Sequence, residues 1–255
     1  MPPEDSARLL ADRLRAGGRV TVLTGAGVSA ASGIPTFRGP GGLWRSFRPE
    51  ELATPEAFAR DPLLVWEWYA WRRRLVAGAA PNRAHRVLAV WSRRYPGFTL
   101  ITQNVDGLHE RAGTANVIRF HGSLWDLACR DACSDAPARW REEAIDLPEL
   151  PPRCPHCGGV ARPGVIWFGE PLEPQVLAAA AAATDCDVFL AIGTSAVVYP
   201  AAALLRDAAA RGAFTVEINP EATSASAAVD LAISGRAEDV LDHVERDLTS
   251  DPFRV

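Results

Sequence analysis

The stretch TGAGVSAASGIPTFRG, residues 24–39, follows the apolar run RVTVLT and places Gly25, Gly27 and Ala30 in the spacing G-x-G-x-x-[G/A]. Glycines there permit a tight turn and let backbone N–H groups approach a pyrophosphate held at the start of the next helix. The same spacing serves a purely structural turn, so alone it leaves both readings open. A hydride-transferring nucleotide domain next needs a helix, a second apolar strand and an acidic residue for the ribose. Here GIPTFRGPGGLWRSFRPEELATP supplies Pro and Gly and no strand, although Glu50 and Glu51 fall near the expected distance. The expectation is a long loop carrying Phe37 and Arg38 over a nucleotide.

A second concentration of polar groups is TQNVDGLH (102–109), with Gln103, Asn104, Asp106 and His109 just after an apolar run. Open α/β sheets put ligands at strand ends, and Asn or Asp at such places equally serves as a helix cap. RFHGSLW sets His121 after another strand-like run, and IGTS (192–195) ends a third. A histidine titrating near 6.5 is largely neutral at pH 7 to 8 and able to accept a proton, whereas a lone histidine is equally at home inside a core.

Cys129 and Cys133, then Cys154 and Cys157, form two close pairs, with Cys186 apart in DCDVFLAI. Four thiolates from two turns suit a tetrahedral Zn²⁺ with no open position, hence structural and not catalytic. The first pair is C-x3-C, so the extra residue implies a distorted turn, weak metal binding or a degenerate site, with His156 in reach as a substitute ligand. Cys186 reads as an inert core residue. In VWEWYAWRRR, Tyr69 and Arg72 stand at i and i+3 and share one helix face. They are either an aromatic cluster beside a solvated charge run or a carboxylate-binding pair, for which a planar guanidinium fork and a hydroxyl are suited.

These groups need elements to hold them. Short β-rich runs recur at 19–24, 98–102, 117–120, 164–168, 187–192, 214–218 and 229–233, and helical patterns such as 173–183 and 197–211 alternate with them. That alternation predicts an α/β fold with a doubly wound, parallel, Rossmann-like sheet. Two segments interrupt it: 40–92, Trp-rich and helical with PLLVWEWYAWRRRLVAG as its clearest helix, and 125–162, which holds four of the five cysteines. They are expected to build a smaller helical and zinc-binding domain from two inserts, leaving 1–39, 93–124 and 163–255 as the nucleotide-binding domain.

With 48% hydrophobic and 23% charged residues over 255 positions, the chain has an ordinary globular composition. Every one of its 27 basic residues is Arg and 31 are acidic, giving a net charge of -4, so no basic field points to nucleic acid. No apolar run reaches membrane-spanning length, and MPPEDSARLLADRLRAGG reads as an amphipathic helix and not a signal peptide. The expectation is a cytoplasmic monomer with reduced thiols, without nucleic-acid or membrane partners.

In chain order, GAGVSAASGIPTFRG, TQNVDGLH, FHGSLW, VIWFGE and GTSAVVYPA resemble the sirtuin family of NAD-dependent protein-lysine deacylases, from about Leu14 to Leu241. The resemblance implies that NAD is a co-substrate: the acyl-lysine oxygen attacks C1′ of the nicotinamide ribose, nicotinamide leaves, and the acyl group ends on ADP-ribose. It implies that Gly25, Ala26 and Gly27 line the pyrophosphate, with Phe37 and Arg38 on the cofactor loop. Asn104 and Asp106 would position ribose and nicotinamide amide, Gln103 would contact ribose, and Gly193, Thr194 and Ser195 would hold phosphate and ribose. Asn219 and Ala237 would meet the adenosine end, with Ser29, Trp44 and Glu221 as further NAD contacts. His121 would be the general base, assisted by Asn104.

Val165, Trp167, Phe168, Gly169 and Glu170 would form the wall that pairs with an extended acyl-lysine peptide, a form of β-augmentation. Tyr69, Arg72 and the small Ala53 resemble the bacterial-type subgroup that removes succinyl, malonyl and glutaryl groups, with deacetylation retained. Cys129, Cys133, Cys154 and Cys157 would hold zinc. Two other readings stay in view: a sirtuin working mainly as a deacetylase or mono-ADP-ribosyltransferase, and a non-catalytic zinc-ribbon binding module.

Overall fold

The computed structural model describes residues 3–37, 42–43, 48–195 and 198–250. Six parallel strands form one sheet: β1 (Val20–Thr24), β2 (Thr99–Thr102), β3 (Val117–Arg119), β7 (Val188–Ile192), β8 (Phe214–Asn219) and β9 (Leu231–Ser234). Their order is β3-β2-β1-β7-β8-β9, so the chain builds outward from β1 in one direction and then, after an excursion, in the other. The crevice between the ends of β1 and β7 is the point where that direction reverses, the place where such sheets bind ligands.

All five residues of β1 and of β7 are buried, as expected of strands covered on both faces. Val20, Val22 and Leu190 pack with α1 (Pro3–Arg15), α5 (Arg83–Arg94) and α9 (Ala237–Thr249). Leu23, Phe189 and Ala191 pack on the other face with α7 (Pro174–Ala182) and α8 (Ala201–Ala210). The sheet is doubly wound. No helix among the described residues is long and apolar enough to cross a membrane.

The second sheet is antiparallel, in the order β5-β4-β6, from β4 (Gly122–Cys129), β5 (Trp140–Arg141) and β6 (Ala161–Val165). It takes in residues on either side of 125–162. The run expected as a strand at 164–168 contributes only its first two residues to β6, and 166–170 turn away. The reason is local: Glu170 Oε2 accepts the Trp167 N–H at 2.8 Å, and the Glu170 N–H returns to Trp167 O. The full β4 has no counterpart among the runs read from the sequence.

Packed on this sheet are α2 (Pro49–Leu52), α3 (Pro55–Arg60) and α4 (Pro62–Gly78), around Trp66, Trp68, Tyr69, Leu124, Leu127 and Trp167. The sequence-predicted helix PLLVWEWYAWRRRLVAG is α4. It starts where Asp61 Oδ1 accepts the Leu64 N–H at 3.0 Å with Pro62 behind it, a cap that contributes about 1 kcal/mol. The short α6 (Leu108–Arg111) follows β2.

Candidate active site

A cavity of about 910 Å³ lies between the two sheets, along the sheet reversal. Its floor is a glycine contact. A Cβ on Gly25 would lie 2.7 Å from Gly193 O, one on Gly27 2.7 Å from Gly193 Cα, and one on Gly193, whose φ is +60°, 2.5 Å from Val28 N. From sequence these glycines are expected to let the backbone approach a phosphate. They are also what allows the turns after β1 and β7 to touch, with the Gly27 N–H donating to Gly193 O at 2.9 Å. The helix after this turn is a seven-residue 3₁₀ helix, Ala26–Ser32.

At the end of β2, Gln103 Nε2 donates to Thr194 Oγ1 at 2.9 Å, and Asn219 Nδ2 donates to Thr194 O at 2.9 Å, tying three strand ends together. Asn104 lines the cavity while its Nδ2 donates to Gly25 O and Ser29 Oγ at 3.0 and 3.2 Å. Ser29 in turn donates to Asp106 Oδ2 at 2.8 Å, and Asp106 Oδ1 accepts the Leu108 N–H at 2.8 Å. Burial pushes the Asp106 carboxyl above its usual range against those two donors. Ser29 and Asp106 therefore stand one layer beneath the cavity wall.

His121 lines the cavity, with Nδ1 3.1 Å from Gln103 O. A carbonyl only accepts, so Nδ1 carries the proton of the neutral ring and Nε2 keeps a free lone pair. Burial holds His121 below the ordinary histidine value, opposed by the Gln103 carbonyl. It is thus neutral and able to accept a proton at Nε2 at neutral pH.

Two further histidines were not assigned a role from sequence. The rings of His85 and His109 meet at 4.7 Å, tilted by 54°, behind Ser29, and burial pushes both down to about 3. His85 Nδ1 accepts the Asn82 N–H in the capping box of α5, and His109 Nε2 lies 3.0 Å from Thr24 Oγ1. The sequence signal for His85 was its place three residues after Asn82. Glu217, a carboxylate inside apolar β8, was also missed; it accepts from Asn219 Nδ2 at 3.0 Å and from the Thr223 and Ser226 hydroxyls, fixing the loop after the strand.

The opposite wall comes from α4 and the segment after β6. Tyr69 Oη accepts from Trp167 Nε1 at 2.9 Å, and the Arg72 guanidinium lies 5.0, 4.9 and 5.8 Å from the ring centroids of Phe37, Trp68 and Tyr69. Burial lowers the Arg72 pKa, and among the described residues Arg72 has no ion-pair partner. Asp106 is close enough to favour its charge, yet is committed to Ser29 and Leu108. Ala53 lines the same end, and its carbonyl accepts the Phe168 N–H at 3.0 Å.

Of the remaining sequence candidates, Ala26, Phe37, Val165, Phe168, Gly169 and Glu170 line the cavity on the α4 side or its floor. Ser195, Glu221 and Ala237 line the end near β8 and α9. Arg38 and Trp44 lie outside the described residues.

The four cysteines meet. Cys129 and Cys157 Sγ are 3.7 Å apart, Cys133 and Cys154 Sγ 3.9 Å, and all four lie within 4.8 Å of one another. Sulfurs at about 2.3 Å from a tetrahedral Zn²⁺ are separated by about 3.8 Å, so the set is positioned to hold zinc. The additional residue of C-x3-C is absorbed at Ala132, which takes a left-handed φ of +46°. His156 is not in the cluster; its ring stands edge-on to Trp140 at 6.1 Å.

A doubly wound sheet with a glycine-floored crevice, a neutral histidine beside it and a four-cysteine lobe defines an α/β nucleotide-binding enzyme class. The Sir2 family model matches residues 25–200, and the chain belongs to the Sir2, or sirtuin, family. It is 50% identical over 219 residues to an NAD-dependent protein deacylase of Aquifex aeolicus (strain VF5), covering 86% of this chain and 90% of that one. A solved Sir2 homolog–NAD complex superposes with a TM-score of 0.84 at 45% identity, covering 94% of each chain. A Sir2 variant solved with deacetylated p53 peptide and 3′-O-acetyl-ADP-ribose gives a TM-score of 0.81 at 27% identity, covering 94% of this chain and 97% of that one.

Proposed function

We propose that this chain is an NAD-dependent protein-lysine deacylase that prefers acyl groups ending in a carboxylate, such as succinyl and malonyl, and retains deacetylation. The observation that carries the preference is Arg72: a buried cation beside the cavity, ringed by aromatic faces and lacking an ion-pair partner among the described residues. A buried charge is costly unless paired, so a ligand carboxylate is its natural complement. The family membership and the relatives' activities support the deacylase reading.

In this reading NAD supplies the ribosyl carbon that the acyl oxygen attacks, with nicotinamide leaving. In this reading 1–39, 93–124 and 163–255 form the NAD-binding domain, 40–92 carries the cofactor loop and acyl pocket, and 125–162 holds zinc. The glycine floor and Thr194 hold the phosphate side. Asn104, fixed by Gly25 O and Ser29, orients the ribose, and the layer beneath keeps it rigid. His121 Nε2 takes the proton from a ribose hydroxyl. Arg72 and Tyr69 bind the far end of the acyl chain. The N–H groups of Ile166, Trp167 and Phe168 are already donated to His121 O, Glu170 and Ala53 O, and the Trp167 carbonyl accepts the Glu170 N–H, so in this reading an extended peptide pairs through the other backbone carbonyls of the segment.

Incubation with NAD and matched acetyl-, succinyl- and malonyl-lysine peptides, with products identified by mass spectrometry, tests reaction and preference together. The expected products are nicotinamide, O-acyl-ADP-ribose and free lysine, fastest from the acidic acyl groups. ADP-ribosylated protein, or a faster acetyl peptide, would favour the two rival sirtuin activities. His121→Ala should lower turnover by about 10²- to 10⁴-fold in a folded protein.

A further inference from the structure

This inference rests on the carboxylate-acyl reading above. Tyr69 belongs to α4, but the direction of its hydroxyl proton is set from the segment after β6. Trp167 Nε1 donates to Tyr69 Oη at 2.9 Å, with both side chains buried. A phenol oxygen has one proton to donate and lone pairs to accept with. With a lone pair engaged by the indole, the proton points away from Trp167, and no described residue accepts it.

Trp167 is itself fixed. Its ring lies 5.2 Å from that of Phe58, the Arg162 guanidinium sits 3.7 Å over it, and its N–H donates to Glu170 Oε2, a carboxylate that also accepts from Arg162 Nη2 at 2.8 Å. An indole held by a neighbouring ring, by a guanidinium over it and by its own backbone is less free to move than the phenol, so the tyrosine follows the indole. Preorganised donors avoid the loss of rotational freedom on binding.

We propose that Trp167 is a positioning residue for acyl-group choice: its indole N–H aims the Tyr69 hydroxyl at the acyl carboxylate, so that Tyr69 and Arg72 act as one recognition unit. Acetyl-lysine, lacking the carboxylate, gains nothing from this arrangement.

The test is Trp167→Phe, which keeps a ring against Phe58 and Arg162 and removes the donor. The succinyl-to-acetyl ratio of kcat/KM should fall about fivefold, the size of one neutral hydrogen bond, mainly through KM for the succinyl peptide. In a Tyr69→Phe background the same change should not lower the ratio further. If the phenylalanine variant does not fold, benzothienylalanine at position 167, an isostere without the N–H, makes the same comparison. An unchanged ratio, equal losses on both peptides, or an undiminished effect in the Tyr69→Phe background overturns the proposal. Arg72→Met separates the two readings: a ratio lowered by Arg72→Met but not by Trp167→Phe leaves the acyl preference standing and removes Trp167's role, whereas no response to Arg72→Met removes both.

Discussion

Two faces of α4 each bury an arginine, and the two are consecutive. Arg72 is 7% exposed, Arg73 1%. On the face toward the zinc lobe, Arg73 donates to Leu124 O at 2.5 Å, Glu142 O at 2.7 Å and Ala144 O at 2.5 Å, and lies 4.8 Å over the Trp125 ring. On the face toward the cavity, Arg72 has aromatic faces and, among the described residues, no ion pair. A cation that finds carbonyls inside the protein holds elements together. One that is buried with room for a carboxylate is set up for a ligand.

The sharpest way to break this comparison is Arg73→Met. It strands three carbonyls, two of them just after β5, and should cost about 3 kcal/mol or more of stability in denaturant unfolding. Acetyl and succinyl peptides should suffer alike. A change below about 1 kcal/mol would mean that water replaces the guanidinium and that the face is not a clamp.

Arg72→Met should do the opposite. Losing the partner of a desolvated carboxylate costs about 2 to 5 kcal/mol of binding, so desuccinylation should fall at least tenfold while acetyl turnover changes much less. Stability should stay level or rise, since an unpaired buried cation is removed. Equal losses on both peptides would assign Arg72 to the fold or to NAD binding.

Buried basic groups that stay neutral supply a third case. His85 and His109 are depressed to about 3 by burial, against an ordinary value near 6.5. The unfolded chain takes up their protons first, so stability is fully present above pH 6.5 and is lost as pH falls from there toward 3. Each ring contributes up to about 1.4 kcal/mol per pH unit within that window. Unfolding free energies measured from pH 7.5 to 5 should slope downward, and His109→Gln should flatten the slope. An unaltered slope would mean that His109 is protonated in the folded protein.

The smallest effect is expected at Ala132, whose +46° φ carries a Cβ where glycine is preferred. Ala132→Gly should leave zinc content at one ion and raise stability by less than about 1 kcal/mol, read by thermal melting of the zinc-loaded protein. A lower melting temperature would show that the turn between Cys129 and Cys133 gains more from the methyl group than it loses to the backbone.

Much of this was legible locally. The α4 helix could be read to its ends because Asp61 and Pro62 start it and a four-turn apolar pattern continues it. Strands β1, β7 and β8 showed as apolar runs because parallel strands are buried on both faces. The strand β4 did not show: it begins at Gly122 in a left-handed conformation, and its register against β6 shifts between Gly122 and Leu127, which breaks simple alternation. The end of β6 was overread because VIWF is apolar throughout, and only the Glu170 carboxylate, three residues beyond Trp167, turns the chain.

Residue types and local spacing therefore account for the glycine turn, the cysteine pairs, the histidine after β3 and the shared face of Tyr69 and Arg72. They could not say which of two adjacent arginines would find backbone carbonyls for its terminal nitrogens. The carbonyls that meet Arg73 come from positions 51, 69 and 71 residues away, and the indole that aims Tyr69 comes from 98 residues away. A helix's own periodicity fixes where side chains leave it, but the acceptors a buried cation finds depend on which distant backbone is packed against that face.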